Sequence, residues 1–471
     1  MNNFLPTIGI EVHIALNTKS KMFSPSRNNH NDPINANINE IDLALPGSMP
    51  SVNEMAVVKA IRLATALNMK IDQNVRFDRK NYFYQDLPKG FQITQQFYPI
   101  GKDGKIDISN KSIGVERIHM EEDTAKQLMI GDKLCLDYNR AGVPLIEVVS
   151  RPDIHSAVEA YEYLNNLKRI VSFLDISDAK MEDGSMRADI NISIAPRGSD
   201  KLGTKVEIKN INSFNNIMKA IDYEIDRQSQ LLLTNNEVKQ ETRRWDDATK
   251  STVFMRAKTN AIEYSYFTEP NIIHILLTTD FVNNAIGTIN KYPSVIKKEL
   301  EDLNINSSLI NLLLDDYDLY KIFNKVATTS NNPTQAITWI VIELVAILKK
   351  QAKSLEIISN EQIDSIIEMI SLIDKGEING KQAKTIFEKI ILENKKPKDL
   401  IEQLGFKQIT DQNVITNILN KIIQNNPNMV QQYNERPERA EKFFIGQLMK
   451  ETHGQANPVV SMKLLKELLK K

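Results

Sequence analysis

Cysteine is almost missing from this chain: Cys135 is the only one in 471 residues. A lone thiol allows no intrachain disulfide and no cysteine-built zinc site. Net charge is nearly missing as well, with 59 Lys and Arg against 60 Asp and Glu for a formal −1. Any binding of nucleic acid must therefore use local basic patches rather than global attraction. Long apolar runs are lacking too. The most apolar stretch, Ala336 to Leu348, is too short to span a bilayer and contains Glu343, so it reads as a buried helix with no membrane role. Met1 to Pro6 offers neither the basic nor the apolar region of a signal peptide, and a cytoplasmic location is expected. There is no Walker-type glycine loop, so a nucleotide site cannot be read from a motif.

What is present is an ordinary soluble composition, 41% hydrophobic and 25% charged, at a length that calls for two or three domains. Up to roughly Leu277, short alternating segments mix with turns such as Leu45-Pro46-Gly47 and Asp183-Gly184. Beyond about Pro293 the pattern turns helical and rich in Lys, Glu, Ile and Leu. Strands first and helices later predict an α+β domain followed by helical modules.

The first strong signal is Ile8 to Leu16. Ile10, Val12, Ile14 and Leu16 alternate with Glu11 and His13, the period-two pattern of a strand with one buried face. Glu11 and His13 then share the opposite face, where they can bind a divalent metal, pass a proton, or lie on a plain solvated surface. An amphipathic helix is predicted over Asn53 to Leu67 with Met55, Val58, Ile61, Leu63 and Ala66 inward. In Arg76 to Tyr84, basic residues adjoin aromatics. Arg79 or Lys80 there can neutralise phosphate while a ring stacks on a base; the same residues also suit an edge strand with solvated charges.

Three carboxylates, Glu121, Glu122 and Asp123, follow His119. Such a run is either exposed or holds a cation. Alternation puts Glu122 on the face of Ile118 and Met120, so the strand is expected to end or bulge before it. Leu145 to Val149 reads as a buried strand and His155 to Phe173 as a helix. In Met186 to Ile192 the residues Arg187, Asp189 and Asn191 share one face, and in Thr204 to Lys209 so do Lys205, Glu207 and Lys209. One sheet face bearing Glu11, His13, Asp189, Glu207, Arg187 and Lys209 looks like the floor of an anion-plus-metal site.

These stretches resemble one family. Gly9 to His13, Arg79 to Tyr84, His119 to Asp123, Asn139 to Glu147, Glu207 to Asn210 and Glu241 to Asp246 match, in this order, motifs of the B subunit of the tRNA-dependent aspartyl/glutamyl-tRNA amidotransferase. Gly446 to Lys450 and Gly454 to Pro458 look like its tail. The resemblance implies a cradle-like catalytic domain on an antiparallel or mixed sheet (1–292), a helical domain (293–404) and a small tRNA-binding helical tail (405–471). It implies an ATP-dependent ligase that phosphorylates the side-chain carboxylate of misacylated Glu-tRNA(Gln) or Asp-tRNA(Asn) and then amidates it. Ammonia would come from a glutaminase (amidase) partner, and a second, small partner would complete a heterotrimer. Carried over, Glu11, His13 and Glu122 would form a magnesium site, with Glu182 as a further ligand and Asp189 as a further carboxylate. Lys80, Arg187 and Lys209 would neutralise phosphate charge, Lys80 first. Histidine is an unusual magnesium ligand, so His13 would orient a metal-bound water or the site would also accept manganese.

Departures from the family are informative. Where many members carry zinc-binding cysteines, this chain has Ser24, Ser26, Asn39 and Asp42, so zinc is expected to be absent. Arg151 stands where an acidic residue is usual, and Ser265 and Thr268 depart from a Tyr-Arg-Tyr-Phe-Pro pattern. Cys135 has apolar neighbours, and Gly198-Ser199 leads into the charged pair Asp200-Lys201. Neither resembles an amidase nucleophile. A tRNA-binding scaffold with a structural metal site, and a metal-dependent phosphohydrolase, are the competing readings; ATP turnover that needs misacylated tRNA and ammonia separates them from the first.

Overall fold

In the computed structural model, which describes residues 4–257, 264–287, 291–406, 411–433, 437–452 and 454–469, the Ile8 to Leu16 alternation is the core of a twelve-residue strand, β1 (Phe4–Ala15). The strands that follow are β2 (Lys70–Ile71), β3 (Asn74–Val75), β4 (Asp78–Asn81), β5 (Phe91–Thr94), β6 (Gly101–Asp107) and β7 (Ser112–Glu122). Then come β8 (Lys126–Ile130), β9 (Lys133–Asp137), β10 (Pro144–Ser150), β11 (Met186–Pro196) and β12 (Val206–Ile211). β13 (Glu241–Asp246), β14 (Ser251–Ala257), β15 (Ser265–Thr268) and β16 (Ile275–Leu276) complete the set. Nine of them form one sheet in the order β14-β13-β12-β11-β1-β10-β7-β6-β2, antiparallel throughout except for β12 and β13. The α+β expectation holds, and β1 lies at the middle of the sheet.

Helices α1 (Glu54–Ala66), α2 (Ala157–Phe173) and α3 (Phe214–Leu233) cover the apolar face of that sheet. Each starts at a residue whose side chain accepts backbone N–H groups of its first turn: Asn53, Ser156 and Ser213. The inward face of α1 differs from expectation. Ala56, Val57, Ala60, Ile61, Leu63 and Ala64 are buried, whereas Met55 is exposed and Val58 and Ala66 only half-buried. Small alanines let the helix sit close to the sheet, which turns the wider stripe outward.

Two more local expectations are corrected. β7 does bulge against β10, but early, at Glu116 between Val115 and Arg117; from Arg117 the register is regular to the strand's end, where Ile146 pairs with Met120 and Pro144 with Glu122. Glu122 is buried on the Ile118 and Met120 side because Lys89 neutralises it there. β4 is no edge strand. It lies between β15 and β5 in a small separate sheet.

The loop at Ser24, Ser26, Asn39 and Asp42 is held by hydrogen bonds to one carboxylate. Asp42 accepts from Ser24 Oγ at 2.7 Å, Ser26 Oγ at 2.5 Å and the Asn39 N–H at 3.1 Å, and the fully buried Lys21 Nζ lies 3.4 Å away.

The chain divides into two units, Met1–Glu299 and Leu300–Lys471. The second is helical. Ala336 to Leu348 is helical there, with a π-helical segment Ile337–Leu344 whose Trp339 packs on Phe387 and whose Glu343 pairs with Lys384. A separate apolar cluster, from Ile415 to Leu465, gives the last helices a core of their own. Lys470 and Lys471 lie outside the described residues.

Candidate active site

Register turns the open face of the large sheet into ordered rows of polar side chains. His13 on β1 is flanked by Arg187 on β11 and Glu147 on β10, and Glu147 by His119 on β7. Two residues along, Glu11 is opposite Asp189. Beyond that, Asn191 pairs with Glu207 and Glu207 with Thr242. Because residues i and i+2 share a face, the alternation that buries Ile10, Val12 and Ile14 also builds this floor.

Two groups of possible metal ligands result: His13 with Glu121 and Glu147, and Glu11 with Asp189 and Glu207. Within each, one ligand atom per residue lies within 4.8 Å of the others. In the first, His13 Nε2 is 3.4 Å from Glu121 and 3.6 Å from Glu147, while His119 Nε2 is 3.0 Å from Glu147. Burial favours neutral His119, but Glu147 and Glu121 outweigh it and hold its pKa up at about 9. Burial likewise raises Glu147, and the cationic His119 reverses that and keeps it ionised well below the ordinary carboxylate range.

The second group is made of oxygen ligands. Burial, then the charges of Glu147, Asp189 and Glu207, push the Glu11 carboxyl up, against the opposing Lys209. Lys209 Nζ donates to Asp189 at 2.6 Å and lies 3.3 Å from Glu207. Asn191 donates to Glu11 at 3.0 Å, and its buried Oδ1 has no partner among the described residues. Crowded carboxylates beside an unpaired amide oxygen fit a hard divalent cation such as Mg2+; the imidazole in the first group suits Mn2+ as well.

The other residues singled out from sequence are placed differently. Glu122 points away from both groups: its carboxylate pairs with Lys89 and accepts the Ile93 N–H at 3.0 Å. Glu182 is exposed in the turn before β11. Arg187 shares Asp123 with Arg140, at 3.0 and 2.6 Å. Lys80 Nζ lies over the Tyr264 ring, 4.6 Å from its centroid. Arg79 has a structural partner instead, donating to both oxygens of the fully buried Glu269 at 2.6 and 3.0 Å.

Residues 6–283 match the GatB/GatE catalytic domain and residues 321–469 the GatB domain. The B subunit of the aspartyl/glutamyl-tRNA(Asn/Gln) amidotransferase of Ureaplasma urealyticum serovar 10 is 51% identical, covering 100% of both chains. The chain belongs to the GatB family. The same protein from Malacoplasma penetrans is 49% identical over 100% of this chain and 98% of its own, and that from Mesoplasma florum 43% over 100% and 99%.

In this GatB-family chain, Glu121, Glu147 and His119 are the members of the first ligand group and its surroundings that sequence reasoning did not assign. Their signals were present. Glu147 is the lone charge in the apolar run Leu145 to Val149. Strict alternation through Glu122, taken without a bulge, puts Glu121 on the His119 face. Arg243 of the Glu241 to Asp246 motif works beneath the floor, where it donates to Thr252 Oγ1 at 2.8 Å and lies 3.8 Å from the buried Glu224.

Proposed function

We propose that the chain carries the amide-forming half of a tRNA-dependent amidotransferase. Its substrate is glutamate or aspartate esterified to tRNA(Gln) or tRNA(Asn). The side-chain carboxylate is phosphorylated with ATP, and ammonia displaces the phosphate to leave glutamine or asparagine on the tRNA. The observation that carries this reading is the pair of ligand groups, side by side on one sheet floor and edged by Lys209 and Arg187. Phosphoryl transfer needs charge neutralisation in position before charge develops, and this floor has it.

Mg2+, or Mn2+, held by Glu11, Asp189 and Glu207 or by His13, Glu121 and Glu147 would neutralise phosphate oxygens. Lys209 is already fixed between Asp189 and Glu207. It can pass from these carboxylates to an incoming phosphate without crossing solvent. Arg187 is opposite His13 in register and is anchored through Asp123. Lys80 approaches from the small sheet and lowers the Glu147 carboxyl further. Buried His119 keeps Glu147 ionised and oriented.

Ammonia needs another source. Cys135 is opposite Leu128 in the β8–β9 hairpin, between Leu134 and Leu136, neighbours that cannot activate a thiol. A separate glutaminase partner supplies ammonia, and a small third protein completes a complex acting where tRNA is charged, in the cytoplasm. No helix among the described residues is long and apolar enough to cross a membrane. The experiment is tRNA-dependent ATP cleavage and amidation by the reconstituted complex, with free ammonia supplied as an alternative to glutamine. Glu11→Gln and Glu147→Gln should each lose at least about a hundredfold in both reactions while the complex assembles. Unchanged ATP cleavage in both variants would leave a scaffold with a structural metal site as the better reading.

A further inference from the structure

Exposed aromatic rings are unevenly spread over this molecule. Among the described residues seven large aromatics are exposed, and six of them (Phe83, Tyr84, Phe97, Tyr98, Tyr264 and Phe267) lie on or beside the small β15-β4-β5 sheet. Packing does not account for rings left in water; such a patch marks a binding surface.

Five rings form a chain. Tyr84, Tyr82, Tyr264, Tyr266 and Phe97 follow one another with centroids 5.9, 5.5, 6.3 and 6.3 Å apart, each tilted steeply to the next. Lys80 is opposite Tyr266 in register and shares the face of Tyr82. Its ammonium lies 4.6 Å from the Tyr264 ring centroid and 5.9 Å from that of Tyr82. At the far end Arg76 stacks on Tyr98 at 3.4 Å. Rings interleaved with cations are the composition of a single-strand nucleic-acid track.

Position selects the ligand. β5 meets the end of β7, where Thr94 Oγ1 donates to Glu121 at 3.4 Å. Glu147 and Glu121 are close enough to Tyr266 to add to the burial that raises its phenol to about 12. The chain of rings thus borders the first ligand group. We propose that this aromatic strip binds the single-stranded 3′ end of the tRNA, with its last bases stacked along the strip from Tyr264 to Phe97. The inference rests on the proposed reaction. A glutamyl or aspartyl group is only a few bonds long, so the nucleotide that bears it must lie at the rim of the site holding its carboxylate. That rim carries rings and cations able to take a base and its phosphate. Lys209, bound to Asp189 and Glu207 of the second ligand group, suits the triphosphate.

The test uses the reconstituted complex and tRNA whose terminal adenine is replaced by 2-aminopurine, a base whose fluorescence falls on stacking. Binding should quench it. The double variant Tyr264→Leu/Phe97→Leu, both positions being exposed, should abolish the quenching and raise KM for misacylated tRNA about tenfold, with KM for ATP unchanged. Tyr264→Phe should keep both at wild-type values. Glu11→Gln should keep the quenching while losing the chemistry, so a failed reaction scheme and a failed strip give different results. Absent quenching in the wild type, quenching that survives in the double variant, or a rise in KM for ATP alone would each overturn the assignment.

Discussion

The two units of this chain treat charge in opposite ways. In the N-terminal unit Lys21, Asp42, Lys59, His119, Glu121, Glu122, Glu207, Glu224 and Glu269 are all buried. Among the described residues from Leu300 onward no acidic or basic side chain is; the buried polar groups there are Gln362, Gln382, Thr452, Asn457 and Ser461. Burying a charge costs several kcal/mol unless a partner offsets it. The sheet unit provides partners across strands distant in sequence, and its chemistry depends on them. The helical unit buries Ile, Leu and Phe instead, so its core is held by apolar packing and carries no buried charge among the described residues.

That contrast is open to direct attack, because the two tryptophans are divided between the units: Trp245 in the first and Trp339 in the second. Single-tryptophan variants report each unfolding transition separately. The largest effect is expected at Asp42→Ala, which strips the fully buried Lys21 of its carboxylate and frees two serines. The Trp245 transition should lose about 3–5 kcal/mol while the Trp339 transition stays put. A loss under about 1 kcal/mol would mean that the clasp is worth no more than a surface ion pair.

Next comes pH. The folded pKa of His119, at about 9, lies above its ordinary 6.5. Its contribution is therefore full below about pH 6.5 and fades as pH rises through about 9. In metal-free protein the Trp245 urea midpoint should fall across that window and the Trp339 midpoint should not. His119→Gln should flatten the fall; an equal fall in that variant would assign it to other groups.

Removal of residues 405–471 should weaken tRNA binding about tenfold or more and lower its salt dependence. The Trp339 transition should survive, since the Ile415 to Leu465 cluster draws on its own helices and is joined to the preceding segment by bonds such as Asn379 to the Gly454 carbonyl. Unaltered affinity and salt slope would show that the tRNA is held elsewhere. The smallest effect is expected from Ile366→Val, a methylene taken from the fully buried helical core. It should lower the Trp339 transition by about 1 kcal/mol at every pH, and a pH-dependent loss would break the distinction between the units.

The sequence by itself determined the faces. Alternation in Ile8 to Leu16, in Met186 to Ile192 and around Val206 and Ile208 stated which residues leave the core, because a strand has no other way to bury one side. It also carried the family, through motifs long enough to need no structure. Tertiary structure decided which of those outward residues meet. Asn191 and Glu11 bond across 180 residues of chain, and no local pattern specifies such a register. For the same reason Glu11 and His13, neighbours on one strand, fall into different ligand groups, each completed by strands from elsewhere. Glu121 rather than Glu122 reaches the floor because alternation continues regularly from Arg117 to Glu122, which depended on Lys89 being there to neutralise the carboxylate that alternation buries. Periodicity is a local property and partnership is not.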